Sequence, residues 1–226
     1  MAYYETKVDD YEKSGTLLAR APNRAFSRKA KIILGSLGNS SRCLEIGAGS
    51  GLLTFFMVNH FKSYVACDLS PAMLRKGADR VRDAQIKWVE ADLRNLPFAN
   101  SEFDSVFGTD IIHHPDDPVE ALKEVLRVTA SGSNIVVLES NALNPLNPRN
   151  IGVELEVRSF LNTQRNLHRW FEEAGWSDVQ VRPTSTFTPA GPRILSPIFG
   201  LIDTVSVRIP GIRNFCALWE IRASKT

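Results

Sequence analysis

Cysteine is scarce in this chain, with only Cys43, Cys67 and Cys216 among 226 residues. Their number is odd, their spacings are wide and no CxxC pair occurs, so neither a disulfide framework nor a zinc site is expected, and no metal ligands are assigned. An excess of one charge sign is also missing: 27 Lys and Arg stand against 25 Asp and Glu, a net charge of +2. That balance excludes a strongly basic nucleic-acid clamp, and no nucleic-acid partner is expected. No uninterrupted apolar run of about 18 residues occurs, so no membrane span is expected. The first ten residues are polar and acidic, without the apolar stretch of a signal peptide. Long runs of like charge, internal repeats and low-complexity segments are absent as well, and 43% hydrophobic against 23% charged residues argues against disorder. The expectation is one soluble cytoplasmic domain spanning 1–226.

Short apolar runs alternate with helical stretches. Strands are expected at 42–46, 63–67, 86–90, 103–107 and 134–138, the last after a turn at Ser131-Gly132-Ser133. Helices are expected at 52–61, from Pro71 (with Ser70 as N-cap) to about 81, and at 118–128. This alternation argues for a parallel sheet with helices on both faces. Beyond 140 the composition turns loop-like, followed by a helix at 159–174 closed by Gly175, a strand at 176–181 and a last strand at 215–221. The first 40 residues are read as one or two helices packed on the sheet, and 183–213 as an insertion between the last two strands.

The most informative segment is Cys43-Leu-Glu-Ile-Gly-Ala-Gly-Ser-Gly51, in which a strand runs into three glycines and a helix follows. Glycines there let the chain turn tightly and let a ligand approach main-chain N–H groups with no Cβ in between. Three in five residues exceed what a turn needs. The dinucleotide fingerprint G-x-G-x-x-G is broken, because position 52 is Leu. That break, with the segments around Asp92 and His113, argues against a nicotinamide oxidoreductase.

The pattern G-x-G-x-G after an acidic residue resembles motif I of the class I S-adenosylmethionine-dependent methyltransferases, in particular the small-molecule, methyltransferase type 11-like subgroup. The resemblance extends over roughly 40–140 and implies a Rossmann-like, doubly wound seven-stranded sheet, mostly parallel with one antiparallel strand. It implies S-adenosyl-L-methionine as cofactor and S-adenosyl-L-homocysteine as product. The cofactor would be held by Glu45 near its amino group, by the loop Gly47, Ala48, Gly49 and Gly51, by Asp68 and Leu69 at the ribose, by Asp92 and Leu93 at the adenine, and by Thr109. Residues 1–40 would then form a lid, 41–140 the cofactor core and 141–226 the acceptor side.

His113 and His114 fall where that family faces its acceptor, and imidazole is the natural base near neutral pH. His113 is the expected base, while Tyr11, His113, Asn141, Asn144 and Arg193 are candidate acceptor contacts. The expected reaction is methyl transfer to a small molecule, at a hydroxyl oxygen first. Two alternatives are a lipid-linked acceptor, such as a quinone or polysaccharide precursor, and a module that binds the cofactor without catalysis. An apolar stripe from Ile194 to Val205, flanked by arginines, reads first as core packing or a lid over the acceptor pocket and second as peripheral membrane or lipid contact through 194–208. A monomer or weak homodimer is expected. A nucleic-acid acceptor is disfavoured because no Pro follows Thr109-Asp-Ile-Ile, where amino methyltransferases of that fold carry an Asn/Asp-Pro-Pro motif.

Overall fold

A computed structural model describes residues 22–38, 40–141, 144, 161–185 and 216–226. The chain forms helix α1 (Pro22–Leu37), β1 (Arg42–Ile46), α2 (Thr54–Met57), β2 (Ser63–Asp68), α3 (Pro71–Arg80), β3 (Ile86–Glu90) and β4 (Phe103–Thr109). It continues with α4 (Pro118–Val128), β5 (Thr129–Ser140), α5 (Gln164–Glu173), β6 (Ser177–Ser185) and β7 (Leu218–Ser224). The strands make one seven-stranded sheet in the order β3-β2-β1-β4-β5-β7-β6. Among the described residues, only β7 runs antiparallel to its neighbours. This is the expected mixed, doubly wound architecture.

Side-chain alternation explains why both faces are covered. Leu44, Val65, Val106, Ile135 and Val137 join α4 and α5 in one apolar cluster. Their strand neighbours Cys43, Tyr64, Ala66, Phe107 and Val136 join α1 in a second cluster. Successive residues of a strand point to opposite faces, so strands buried on both sides read as continuous apolar runs. Strand order reverses between β1 and β4, which opens a crevice at the carboxyl ends of the strands, the general ligand position in such sheets.

Several boundaries differ from the sequence reading. The helix expected at 52–61 is only one turn of α-helix and then a 3-10 turn at Val58–His60. Phe61 leaves it in an extended conformation and stacks on Phe107 at 6.3 Å. The turn expected at 131–133 is absorbed into β5 as an irregularity opposite Phe103 and Ser105. Gly132 takes φ +76° there and donates to Lys225 O at 2.7 Å. Helix α5 starts at Gln164 rather than 159, because Thr163 caps it by accepting from Asn166 N. β6 runs on to 185 through Pro183, which an edge strand tolerates. β7 is shifted three residues toward the C-terminus, at Leu218–Ser224. The N-cap at Ser70 with Pro71 is as expected, the hydroxyl accepting from Met73 N. Residues 1–21, most of 142–160 and 186–215 lie outside the described residues. Tyr11, Arg193 and the 194–208 stripe fall there.

Candidate active site

The glycine loop sits on the crevice. Gly47, Gly49 and Gly51 all have left-handed φ, +67°, +52° and +73°. Their space differs: a Cβ on Gly47 would lie 2.6 Å from Ile111 Cγ1, and one on Gly51 would lie 3.0 Å from the Gly77 backbone and from Trp88. A Cβ on Gly49 would meet nothing within 4 Å among the described residues. Gly47 and Gly51 therefore let elements pack, whereas Gly49 leaves open space beside it. Ala48 N donates to Cys67 O at 2.9 Å, tying the loop to the end of β2.

Asp68, the last residue of β2, clamps this loop. Its Oδ2 accepts from Gly49 N at 2.8 Å and its Oδ1 from Ser70 N at 2.9 Å. Burial pushes its pKa above the ordinary value, opposed by those two N–H groups and by the charge of His114. A carboxylate offers about four acceptor positions, so the two bonds leave capacity for further donors such as ribose hydroxyls. The adjoining Leu69 is 42% exposed, an apolar side chain left at the same edge. The open Gly49 position, the spare acceptor capacity of Asp68 and the uncovered Leu69 together fit S-adenosylmethionine.

Other sequence-assigned residues are placed differently. Glu45 points into the α1 side of the sheet, 2% exposed, where Oε2 accepts from Thr54 Oγ1 at 2.6 Å and Tyr64 Oη at 2.7 Å. Burial raises its pKa to about 7, against the lowering effect of those two bonds. In this arrangement it braces β1 against β2 and α2. Asp92 turns its carboxylate onto Arg94, with Nη2–Oδ2 at 2.7 Å, and its pKa is lowered by that bond first. The expected acceptance of an adenine amino group by Asp92 therefore competes with Arg94. Leu93 is buried in the core on the α4 side. Thr109 closes β4 opposite Leu138. The residue that does the tying at this edge is Asp110, which sequence reasoning missed. It holds φ +53°, accepts from Ser140 N at 2.9 Å and pairs with Lys29 of α1 at 2.8 Å.

His113 and His114 are brought together, their rings 4.3 Å apart. They are not equivalent. His113 is 1% exposed, with Nδ1 2.7 Å from Glu139 Oε2, whereas His114 is half-buried and lies on the Asp68 side. Asn162, unassigned from sequence, donates to Glu139 Oε2 at 2.8 Å, and its buried Oδ1 has no partner among the described residues. Asn141 is buried, its N–H donating to Ala217 O at 3.0 Å and its Nδ2 reaching Cys216 Sγ at 3.8 Å. Asn144 is buried too, donating to Asn141 O at 3.2 Å. Both asparagines thus shape the segment after β5. The signal for Glu139 was present in the sequence: a carboxylate ending the run Ile135-Val-Val-Leu138 must be buried and so must find donors.

The raised pKa of Glu45 has a measurable consequence. A carboxyl that binds its proton more tightly folded than unfolded favours folding below the unfolded pKa, and that contribution is lost as pH rises to the folded value. Wild type is expected to lose roughly 3 kcal/mol between pH 4.5 and about 7 from this group. Thermal denaturation from pH 5 to 8 checks this, with a flatter profile expected for Glu45→Gln. Parallel profiles would remove the assignment.

A glycine loop clamped by a strand-end carboxylate, at the switch point of a sheet in this strand order, fits an S-adenosylmethionine-dependent methyltransferase of the class I fold. Residues 44–137 match the family model described as methyltransferase domain, and the chain is such an enzyme. It is 27% identical over 205 residues to a demethylmenaquinone methyltransferase of Renibacterium salmoninarum, covering 80% of this chain and 85% of that one. It is 33% identical over 139 residues to the ubiquinone/menaquinone biosynthesis C-methyltransferase UbiE of Pseudomonas fluorescens, covering 57% of this chain and 53% of the relative. Among solved structures, a SAM-dependent methyltransferase from Thermotoga maritima, described as a possible histamine N-methyltransferase, superposes with TM-score 0.70. It shares 20% identity over 99% of this chain and 98% of that one, a likeness of fold.

Proposed function

We propose that the acceptor is a hydroxylated aromatic ring of the quinol class, methylated at a ring carbon. The reading is supported by the relatives, two of which are named for quinone biosynthesis. The observation that carries it is the buried polar cluster beside the cofactor edge, in which Glu139 holds His113 and Asn162 keeps an acceptor, Oδ1, unpaired among the described residues. A buried acceptor without a donor costs about 1–3 kcal/mol, and a ring hydroxyl supplies the missing donor.

When bound, S-adenosylmethionine supplies an electrophilic methyl group on sulfur. The glycine loop and Asp68 fix its position, which is where much of the rate in such a displacement originates. His113, held at Nδ1 by Glu139, has Nε2 as the atom that takes the hydroxyl proton, and removing that proton raises the electron density of the ring carbon beside it. Attack by the ring carbon forms the new carbon–methyl bond as the methyl–sulfur bond breaks, with the electron pair staying on sulfur. The ring C–H proton then passes to bulk solvent and His113 Nε2 returns its proton to the ring oxygen, so that aromaticity and both hydroxyls are restored. The buried surroundings of His113 keep water from competing for the methyl group.

This carbon acceptor replaces the hydroxyl oxygen favoured by sequence reading, and one experiment separates them. The protein is incubated with methyl-labelled S-adenosylmethionine and a short-chain naphthoquinol, and the product is analysed by mass spectrometry and NMR. The expected product carries the label on a ring carbon with both hydroxyls intact. A methoxy product would restore the oxygen reading, and no transfer despite bound cofactor would remove the quinol class.

A further inference from the structure

Glu139 is the penultimate residue of β5 and is fully buried, and four N–H groups converge on its two oxygens. Ile111 N and Ile112 N donate to Oε1 at 2.9 and 2.8 Å. His113 Nδ1 lies 2.7 Å from Oε2, and Asn162 Nδ2 donates to Oε2 at 2.8 Å. A carboxylate has room for about four such bonds, so this one is saturated. The donors come from the loop after β4 and from the lead-in to α5, segments about 50 residues apart that this single side chain joins.

The same geometry fixes the tautomer of His113. The second Asn162 amide hydrogen goes to Ser140 O at 3.3 Å, so Asn162 has none left for Nδ1, although the two nitrogens are 3.1 Å apart. A bare Nδ1 lone pair would face the carboxylate oxygen at 2.7 Å, which is repulsive. Nδ1 therefore carries the proton, and in the neutral ring Nε2 is the acceptor.

We propose that Glu139 is a positioning residue of the methyl-transfer site: it fixes His113 as the Nδ1–H tautomer and locks residues 111–113 and Asn162 into one unit, so that Nε2 is the proton-accepting atom. The functional half rests on the methyl-transfer reading above, and the tautomer stands apart from it.

The chain has four histidines, which makes the tautomer observable by long-range 1H–15N correlation on the full-length protein at pH 8. His113 is assigned by its disappearance in His113→Gln. The expected wild-type result is an Nδ1–H imidazole. In Glu139→Gln the amide oxygen remains for Ile111 and Ile112 while its NH2 faces Nδ1, so the proton is expected to move to Nε2. With the acceptor in hand, the same variant is expected to lose about 10²-fold or more in kcat, the usual scale for a misplaced base. Its affinity for S-adenosylhomocysteine should stay within about twofold of wild type, because the Gly49–Asp68 clamp is untouched. An Nε2–H or doubly protonated His113 in wild type overturns the proposal, even if Glu139→Gln fails to fold. An unchanged tautomer in a folded Glu139→Gln overturns it too. An intact Nδ1–H tautomer in a wild type that binds no S-adenosylhomocysteine would overturn the methyl-transfer reading and leave the tautomer standing.

Discussion

Asp68→Ala is expected to weaken S-adenosylhomocysteine binding by roughly 10²–10⁴-fold in isothermal titration. The arithmetic starts from two charge-assisted bonds to ribose hydroxyls, each worth about 1.5–3 kcal/mol. The structure adds a second route to the same loss. The same carboxylate accepts from Gly49 N and Ser70 N, so its removal frees the loop as well as the expected ribose contact. Asp68→Asn separates the two contributions. It keeps one oxygen for a backbone N–H but loses the charge, and an intermediate affinity is expected. Wild-type affinity in Asp68→Ala would remove the ribose assignment.

The glycine loop yields the second large effect, as a contrast between two substitutions of the same chemistry. Gly47→Ala places a methyl group 2.6 Å from Ile111 in a residue held at φ +67°. Left-handed strain of about 1–2 kcal/mol and an overpacking cost of about 1–3 kcal/mol together predict roughly 2–5 kcal/mol of destabilisation. For a chain of this size that is a fall in Tm of about 5–15 °C. Gly49→Ala suffers only the strain, because its new Cβ meets nothing within 4 Å among the described residues. Its stability is expected to fall by about 1–2 kcal/mol, while cofactor affinity falls steeply because the methyl group stands where the ligand approaches. Differential scanning calorimetry and titration on both variants check the contrast. If Gly49→Ala bound S-adenosylhomocysteine like wild type, that open position would not be the cofactor's.

Local patterning was legible because it depends on neighbours in the chain. The apolar runs at 42–46, 86–90 and 103–107, the Ser70-Pro71 helix start and the left-handed glycines follow from side-chain period and backbone sterics. The glycine loop and Asp68 were legible as a pair because a βα unit of regular length brings the end of β2 beside the end of β1. The turn misplaced at 131–133 shows where such reasoning stops. Ser131-Gly132-Ser133 has ordinary turn chemistry, yet pairing with Lys225 at the far end of the chain makes it part of a strand.

What the sequence determined by itself was the fold class, the glycine loop at the crevice and the presence of an imidazole pair after β4. Only the tertiary structure decided what each polar side chain does there. It turned Asp92 onto Arg94, drew Glu45 into a bond with Tyr64, set Lys29 on Asp110 and gathered Glu139, His113 and Asn162 into one buried cluster. The physical reason is burial. A carboxylate removed from water must take its donors from whatever the fold brings within hydrogen-bonding distance, and that neighbourhood is set by strand order and register, which local patterns do not contain.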